Sequence, residues 1–321
     1  MVFIEDQPTI PTIDLSPFLS PSSPQSSRDA VITAVRSACQ SYGFFQLTGH
    51  GIPLSLQRSI LHCAELLFAL PLAEKQAMAM SKSMGMSKRG YEAVGGQTLD
   101  VKPDTKEGFY IGVEVPADDP AAGTFLKGPN LWPGSLRAED FRTPVMEYHR
   151  RVLGLHELLL RILAAGLSEQ GKELMEGFMQ DAVANIKLLH YPPNAKEGAE
   201  EQSIGAGAHT DFGCTTILLQ QPDQHGLQVL YPPTQTWIPV PAKEDVFIVN
   251  IGDLLQKWTK GEYKSAVHRV VNVSTTDRYS VPFFYHGNLS TRLSPLDGSL
   301  ADGDAETVEE HIKGRFRKTF G

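Results

Sequence analysis

Apolar residues keep a helical spacing through much of the first half of the chain and change toward a period of two from residue 185 onward. Val145, Tyr148, Val152, Leu155, Leu159 and Ile162 recur three and four apart, the plainest helix in the sequence. Its stripe predicts a helix lying against the outside of a sheet. Val31, Ala34, Val35 and Ala38 predict another helix from Arg28, with Ser27 as N-cap and Gly43 as its end. A third follows Pro53, with Leu56, Ile60, Cys63 and Leu67 on one face. Short strands are expected at 10–14 and 44–47. Residues 78–137 hold few periodic segments and many Gly and Pro breakers, interrupted by a strand over 107–112. So long an irregular stretch in a compact protein reads as a functional rim, with its strand near a substrate. Beyond residue 185 the pattern predicts strands at 185–191, 206–211, 215–220, 227–231, 237–240, 246–251, 268–273 and 278–285. The charged, glycine-bearing stretch 194–205 reads as a mobile loop. Residues 308–320 read as an amphipathic closing helix. The fold class is therefore a mostly β core, closed or sandwiched, with flanking helices.

Composition narrows the functions. At 321 residues with 41% apolar and 21% charged side chains, the chain can bury a sizeable core. A net charge of −8 argues against a nucleic-acid partner, which calls for a basic face. Cys39, Cys63 and Cys214 are far apart, with no Cys-x-x-Cys, and read as reduced thiols. The first residues lack a secretory pattern, and even the apolar run 153–167 carries Glu157 and Arg161, so no membrane span is expected. A cytoplasmic location is the resulting expectation.

The candidate chemistry begins at His209-Thr210-Asp211. In an extended strand, residues two apart project from one face, so an imidazole and a carboxylate would meet at one point. His-x-Asp alone is a weak signal. His268 offers a third ligand, and two histidines with one carboxylate form the facial triad of non-haem Fe(II) oxygenases, which leaves coordination positions open. Ten residues past His268 stands Arg278-Tyr279-Ser280, whose guanidinium fork and hydroxyl suit a carboxylate. A triad followed by such a clamp is a site for a metal-chelating keto acid. The other histidines fall in turns, on helices or, for His190, on the opposite strand face from Tyr191. His286, at a strand end, is kept as a candidate beside the metal.

With these stretches in view, the chain resembles the iron(II)- and 2-oxoglutarate-dependent dioxygenases of the isopenicillin N synthase-like family. The matching segments run in the family's order from Gly43 to Ile52, through Gly128-Pro129-Asn130-Leu131-Trp132-Pro133 and His190-Tyr191-Pro192-Pro193, to Val249-Asn250-Ile251-Gly252-Asp253 and the triad and clamp already named. The resemblance implies a jelly roll, the cupin-like double-stranded β-helix, over residues 181–290. A helical N-terminal part at 1–180 would pack on it, and 291–321 would close it. It also implies that His209, Asp211 and His268 hold Fe(II), that Arg278, Ser280 and Tyr191 contact 2-oxoglutarate, and that O2 is consumed with release of succinate and CO2. The substrate would be a small organic molecule, such as a secondary-metabolite intermediate, undergoing hydroxylation, desaturation or ring rearrangement. One departure is Leu189, where plant members carry a cosubstrate-contacting Asn. Asn250, Gly252 and Asp253 read as a capped turn, and Tyr110, Phe109, Phe212 and Phe284 as the substrate wall. Three alternatives stay open: an iron oxidase that needs no keto acid, a zinc hydrolase on the same ligands, and a binding protein without catalysis.

Overall fold

The computed structural model describes residues 8–165, 167, 169–193, 203–272, 274–295 and 305–320. In chain order the elements are β1 (Thr12–Asp14), α1 (Ser16–Leu19), α2 (Gln25–Ser41), β2 (Phe44–Thr48), α3 (Leu54–Phe68), α4 (Leu72–Ala77), β3 (Gly90–Glu92) and β4 (Glu107–Gly112). Then come α5 (Arg142–Ala165), α6 (Glu169–Met179), β5 (Val183–Tyr191), β6 (Ser203–His209), β7 (Thr215–Gln220), β8 (Leu227–Tyr231), β9 (Thr236–Pro239) and β10 (Phe247–Ile251). The chain closes with α7 (Asp253–Trp258), β11 (His268–Asn272), β12 (Arg278–Gly287) and α8 (Val308–Phe320).

Two sheets form the jelly-roll core. The larger runs β1-β2-β10-β7-β12-β5-β4-β3, and the smaller β6-β11-β8-β9. Apart from the parallel β1–β2 pair, the ladders between named strands are antiparallel. Strand β12 shows how the two faces divide. Val281, Phe283 and Tyr285 join the main hydrophobic core, whereas Arg278, Ser280, Pro282, Phe284 and His286 face a cavity lined by both sheets. Helix α5 supplies Val145, Tyr148, Val152, Leu155 and Leu159 to the same core and packs on β5, β7 and β12 from outside. The stripe thus does what its spacing predicts.

Some boundaries differ from expectation. Helix α2 starts at Gln25, with Pro24 rather than Ser27 at its N-cap and no side-chain cap bond. Its end is as read: Gly43, at φ +67°, takes the left-handed turn that glycine favours, and a Cβ there would sit 2.1 Å from the Lys264 carbonyl oxygen. Helix α6 has no counterpart in the predicted elements. Strand β6 occupies 203–205, which the pattern assigns to a loop; the remainder of that loop, 194–202, lies outside the described residues, as does Val273. Strands β1 to β4 all lie in the larger sheet beside β5 and β10, so the first part of the chain builds the core as well as covering it. Among the described residues, no helix is long and apolar enough to cross a membrane. Cys39, Cys63 and Cys214 are free and buried.

Candidate active site

His209 ends β6 and His268 begins β11, and the two are direct partners across the β6–β11 ladder. That pairing brings residues far apart in sequence to a ring separation of 4.3 Å. Asp211 does not lie in the strand with His209, contrary to the expected alternation, because β6 stops at His209. It sits in the following turn, which is held in place from β10. The Asp253 amide donates to the Asp211 carbonyl at 2.9 Å, and Asn250 Nδ2 donates to Asp211 Oδ2 at 2.7 Å. Gly252 lets the two turns approach: a Cβ there would lie 2.2 Å from the Gly213 carbonyl oxygen. Its φ of −103° demands no glycine, so close approach rather than turn geometry explains the residue. The expected capping role of Asn250 is likewise corrected, since its amide holds the Asp211 carboxylate.

The three side chains converge. His209 Nε2 and His268 Nε2 lie 3.7 and 3.8 Å from Asp211 Oδ1. One ligand atom from each falls within 4.8 Å of the others, the metal-competent cluster found among the described residues. The tautomers follow from the far side of each ring. His209 Nδ1 faces the Gly207 carbonyl at 2.7 Å and His268 Nδ1 the Ala266 carbonyl at 3.1 Å. A carbonyl can only accept, so each Nδ1 carries the proton and each Nε2 turns a lone pair to the centre. Burial, with His268 adjacent, pushes His209 down to about 3, so its imidazole is neutral and ready to ligate. For Asp211, burial opposes ionisation. The neighbouring imidazoles and hydrogen bonds from Thr216, at 2.5 Å, and Asn250 outweigh it and hold the carboxyl below its ordinary value. The donor set, two imidazoles and one carboxylate on one side of a point, fits a divalent first-row ion with sites left open.

Along β12 the cavity changes character. Arg278 is 1% exposed, donates through Nη2 to Gln220 Oε1 at 3.2 Å and stacks 4.6 Å over the Tyr191 ring. Its Nη1 and the amide nitrogen of Gln220 are buried without a hydrogen-bond partner. Native interiors rarely leave such donors unmet, so an anionic ligand end belongs there. Ser280 and Tyr191 line the same end.

Of the expected substrate wall, Tyr110, Phe212 and Phe284 line the cavity, and Phe109 does not. Phe109 is fully buried in the core on the other face of β4, because alternation sends neighbours to opposite sides. His286 also lines the cavity, with Nδ1 unpartnered and burial pushing the imidazole down to about 4. Thr216, Gln97, Lys106, Lys187 and Phe316 are further lining residues that the sequence pattern does not single out. Phe316 comes from α8, whose Arg315 donates to the Thr210 hydroxyl at 3.1 Å and lies 4.6 Å over Phe212. The closing helix therefore rests on both residues that flank Asp211. The cavity measures about 120 Å³.

Comparison with known proteins places this geometry in context. Residues 181–287 match the family described as the 2OG-Fe(II) oxygenase superfamily. Residues 10–135 match the one described as the N-terminal region of a non-haem dioxygenase in morphine synthesis. The chain is 46% identical over 317 residues to the 2-oxoglutarate-dependent dioxygenase tropC of Talaromyces stipitatus, covering 97% of this chain and 96% of that one. It is 42% identical to the clavatol oxidase claD of Penicillium crustosum, covering 97% and 96%. Among solved structures, a full-length Neurospora crassa protein in complex with alpha-KG superposes with a TM-score of 0.81 at 26% identity, covering 98% and 97%. The same protein with alpha-KG and thymine gives 0.81 at 25% identity, covering 98% of each chain.

Proposed function

The chain belongs to the 2OG-Fe(II) oxygenase superfamily, and on that premise we propose that His209, Asp211 and His268 hold its iron and that Arg278, Ser280 and Tyr191 hold its 2-oxoglutarate. It is an Fe(II)- and 2-oxoglutarate-dependent dioxygenase acting on a small molecule. The convergence of two imidazole nitrogens and one carboxylate oxygen within 4.8 Å is the observation that carries the ligand assignment. Bound iron supplies the capacity to couple decarboxylation of the keto acid by O2 to oxidation of a substrate C–H bond.

The protein's own part is orientation. Gly207 and Ala266 carbonyls fix the imidazoles, while Thr216 and Asn250 occupy Asp211 Oδ2 and leave Oδ1 for the metal. Arg278 Nη1, buried without a partner, would take the distal carboxylate of the keto acid and fix its direction. An oxidase that dispensed with the keto acid would leave that buried guanidinium nitrogen and the Gln220 amide without purpose.

The substrate reading is a secondary-metabolite intermediate with a small ring. The named activity of claD and the thymine held by the Neurospora crassa protein support it, as do the aromatic side chains Tyr110, Phe212 and Phe284 around the cavity. The test is a screen of small ring compounds in which succinate and O2 are measured together. One succinate formed per O2 consumed, dependent on an added compound, is expected; O2 uptake without succinate would contradict the keto-acid assignment.

A further inference from the structure

One side of the cavity carries side chains that neither metal nor keto acid uses. Lys187, on β5, lies between Glu92 Oε2 at 2.5 Å and Gln97 Oε1 at 3.2 Å, and its ammonium rests 4.4 Å from the Tyr110 ring centre. Its donors are therefore engaged. What its neighbours have left follows from the direction of each hydrogen bond. Gln97 gives its oxygen to Lys187, so its NH2 group remains to donate. Lys187 also hydrogen-bonds the Tyr110 phenol, and since an ammonium only donates, the phenol oxygen accepts and its hydroxyl hydrogen is left for the cavity.

Lys106 completes the set. Its side chain is 5% exposed and lines the cavity, and among the described residues it has one acceptor, Asp104 Oδ2. The other oxygen of Asp104 accepts the Gly207 amide at 2.9 Å, which ties the pair to β6 two residues before His209. An ammonium has three donors and no acceptor, so two N–H groups of Lys106 remain. Gln97, Lys106 and Tyr110 thus face the cavity with donors alone. The rest of the lining includes the apolar Leu99, Leu218, Pro282 and Phe284.

From this polarity we propose that Gln97, Lys106 and Tyr110 form the substrate anchor, which takes an acidic-oxygen edge, a carboxylate or an enolate or phenolate, on an apolar ring. A wall of donors leaves a substrate lacking acceptors facing an unmet, desolvated ammonium, and such sites discriminate strongly. Tyr110 and Lys106 would hold the acidic edge near His209, with the ring body against the apolar side. The inference rests on the proposed metal centre, since it gives that site its substrate class.

The experiment uses the full chain loaded with Mn(II), which is inert to turnover, and 2-oxoglutarate. Three probes are titrated by calorimetry: 2,4-dihydroxybenzoate for a carboxylate, 1,3-cyclohexanedione for an enolate, and the neutral 1,3-dimethoxybenzene. Relaxation of probe protons by Mn(II) reports nearness to the metal. At least one anion is expected to bind tenfold or more tightly than the neutral ether and to relax strongly; which anion does so identifies the source of the acidic oxygen. Asp104→Asn/Lys106→Met, which removes both charges of the pair and keeps an acceptor for the Gly207 amide, should weaken that anion at least tenfold. Lys172→Met on the surface of α6 should not. Gln97→Leu leaves the Lys106–Asp104 pair whole, should weaken the anion several-fold, and carries the comparison if the double variant fails to fold. Anions that bind no better than the ether, that show no saturable binding, or that bind the variants like wild type would overturn the anchor. A wild-type chain unable to take up Mn(II) and 2-oxoglutarate would overturn the metal centre and the anchor together.

Discussion

At the scale of single residues, chemistry that depends on residue type is legible and chemistry that depends on neighbours is not. His209, Asp211, His268 and Arg278 announce themselves because few side chains can ligate a metal or fork around a carboxylate. Thr216 carries no such mark and Asn250 reads only as part of a capped turn; the fold alone reveals that both grip Asp211 Oδ2. Phe109 and Tyr110 show the limit differently. Pattern alone cannot set the phase of a short strand; the pairing of β4 with β5, Tyr110 opposite Lys187 and Phe109 opposite Leu188, decides which ring meets the cavity. Partners that orient a metal ligand typically carry about 10–100-fold in metal affinity. Asn250→Ala should therefore lower Fe(II) affinity by about tenfold or more while the chain still folds, as read by competition with a metal-sensing dye. Unchanged affinity would remove Asn250 from the ligand support.

At the scale of elements, long apolar stripes such as that of α5 are readable. Helix α6 is not, because it is only 11 residues long and Gly171 and Gly177 lower its helix propensity. Strand β12 holds an internal Pro282, which pairs with Leu218 of β7, while its ladder to β5 passes from Ser280 to Phe283 with residues 281 and 282 unpaired on that side. The back of β4 and β5 holds a polar cluster of its own. Glu107 accepts from Lys75 at 2.9 Å, Tyr91 at 2.6 Å and His190 at 2.7 Å, and His190 also meets Asp277 at 2.6 Å. Burial raises the Glu107 carboxyl, but these three bonds outweigh it and hold it at about 2. Burial lowers His190, and Glu107 and Asp277 outweigh it to raise the imidazole above 6.5. The signs fix the pH window. The Glu107 contribution is present above about pH 4.5 and is lost as pH falls toward 2; the His190 contribution is present below about 6.5 and is lost as pH rises through its raised value. Glu107→Gln should cost about 3 kcal/mol near pH 5.5 and flatten both flanks of the stability profile measured by urea unfolding. A profile parallel to wild type would contradict this cluster.

For the whole molecule, the β core and its class are legible from the change of period at residue 185, whereas the assembly of the sheets is not. Strands β1 to β4 enter the larger sheet on either side of later strands, and no local pattern encodes that order. The same assembly makes the site: β6 and β11 bring the imidazoles together, β10 buttresses Asp211, β12 carries the guanidinium, and α8 closes over Phe212. The most direct measurement is anaerobic addition of Fe(II) and then 2-oxoglutarate, followed by the weak visible charge-transfer absorption of the chelate. Wild type should develop the band saturably. His268→Ala should retain no iron and show none, and Arg278→Leu should keep its iron yet need at least tenfold more 2-oxoglutarate. A full band at ordinary 2-oxoglutarate in either variant would contradict the convergence of these residues on one iron and one keto acid.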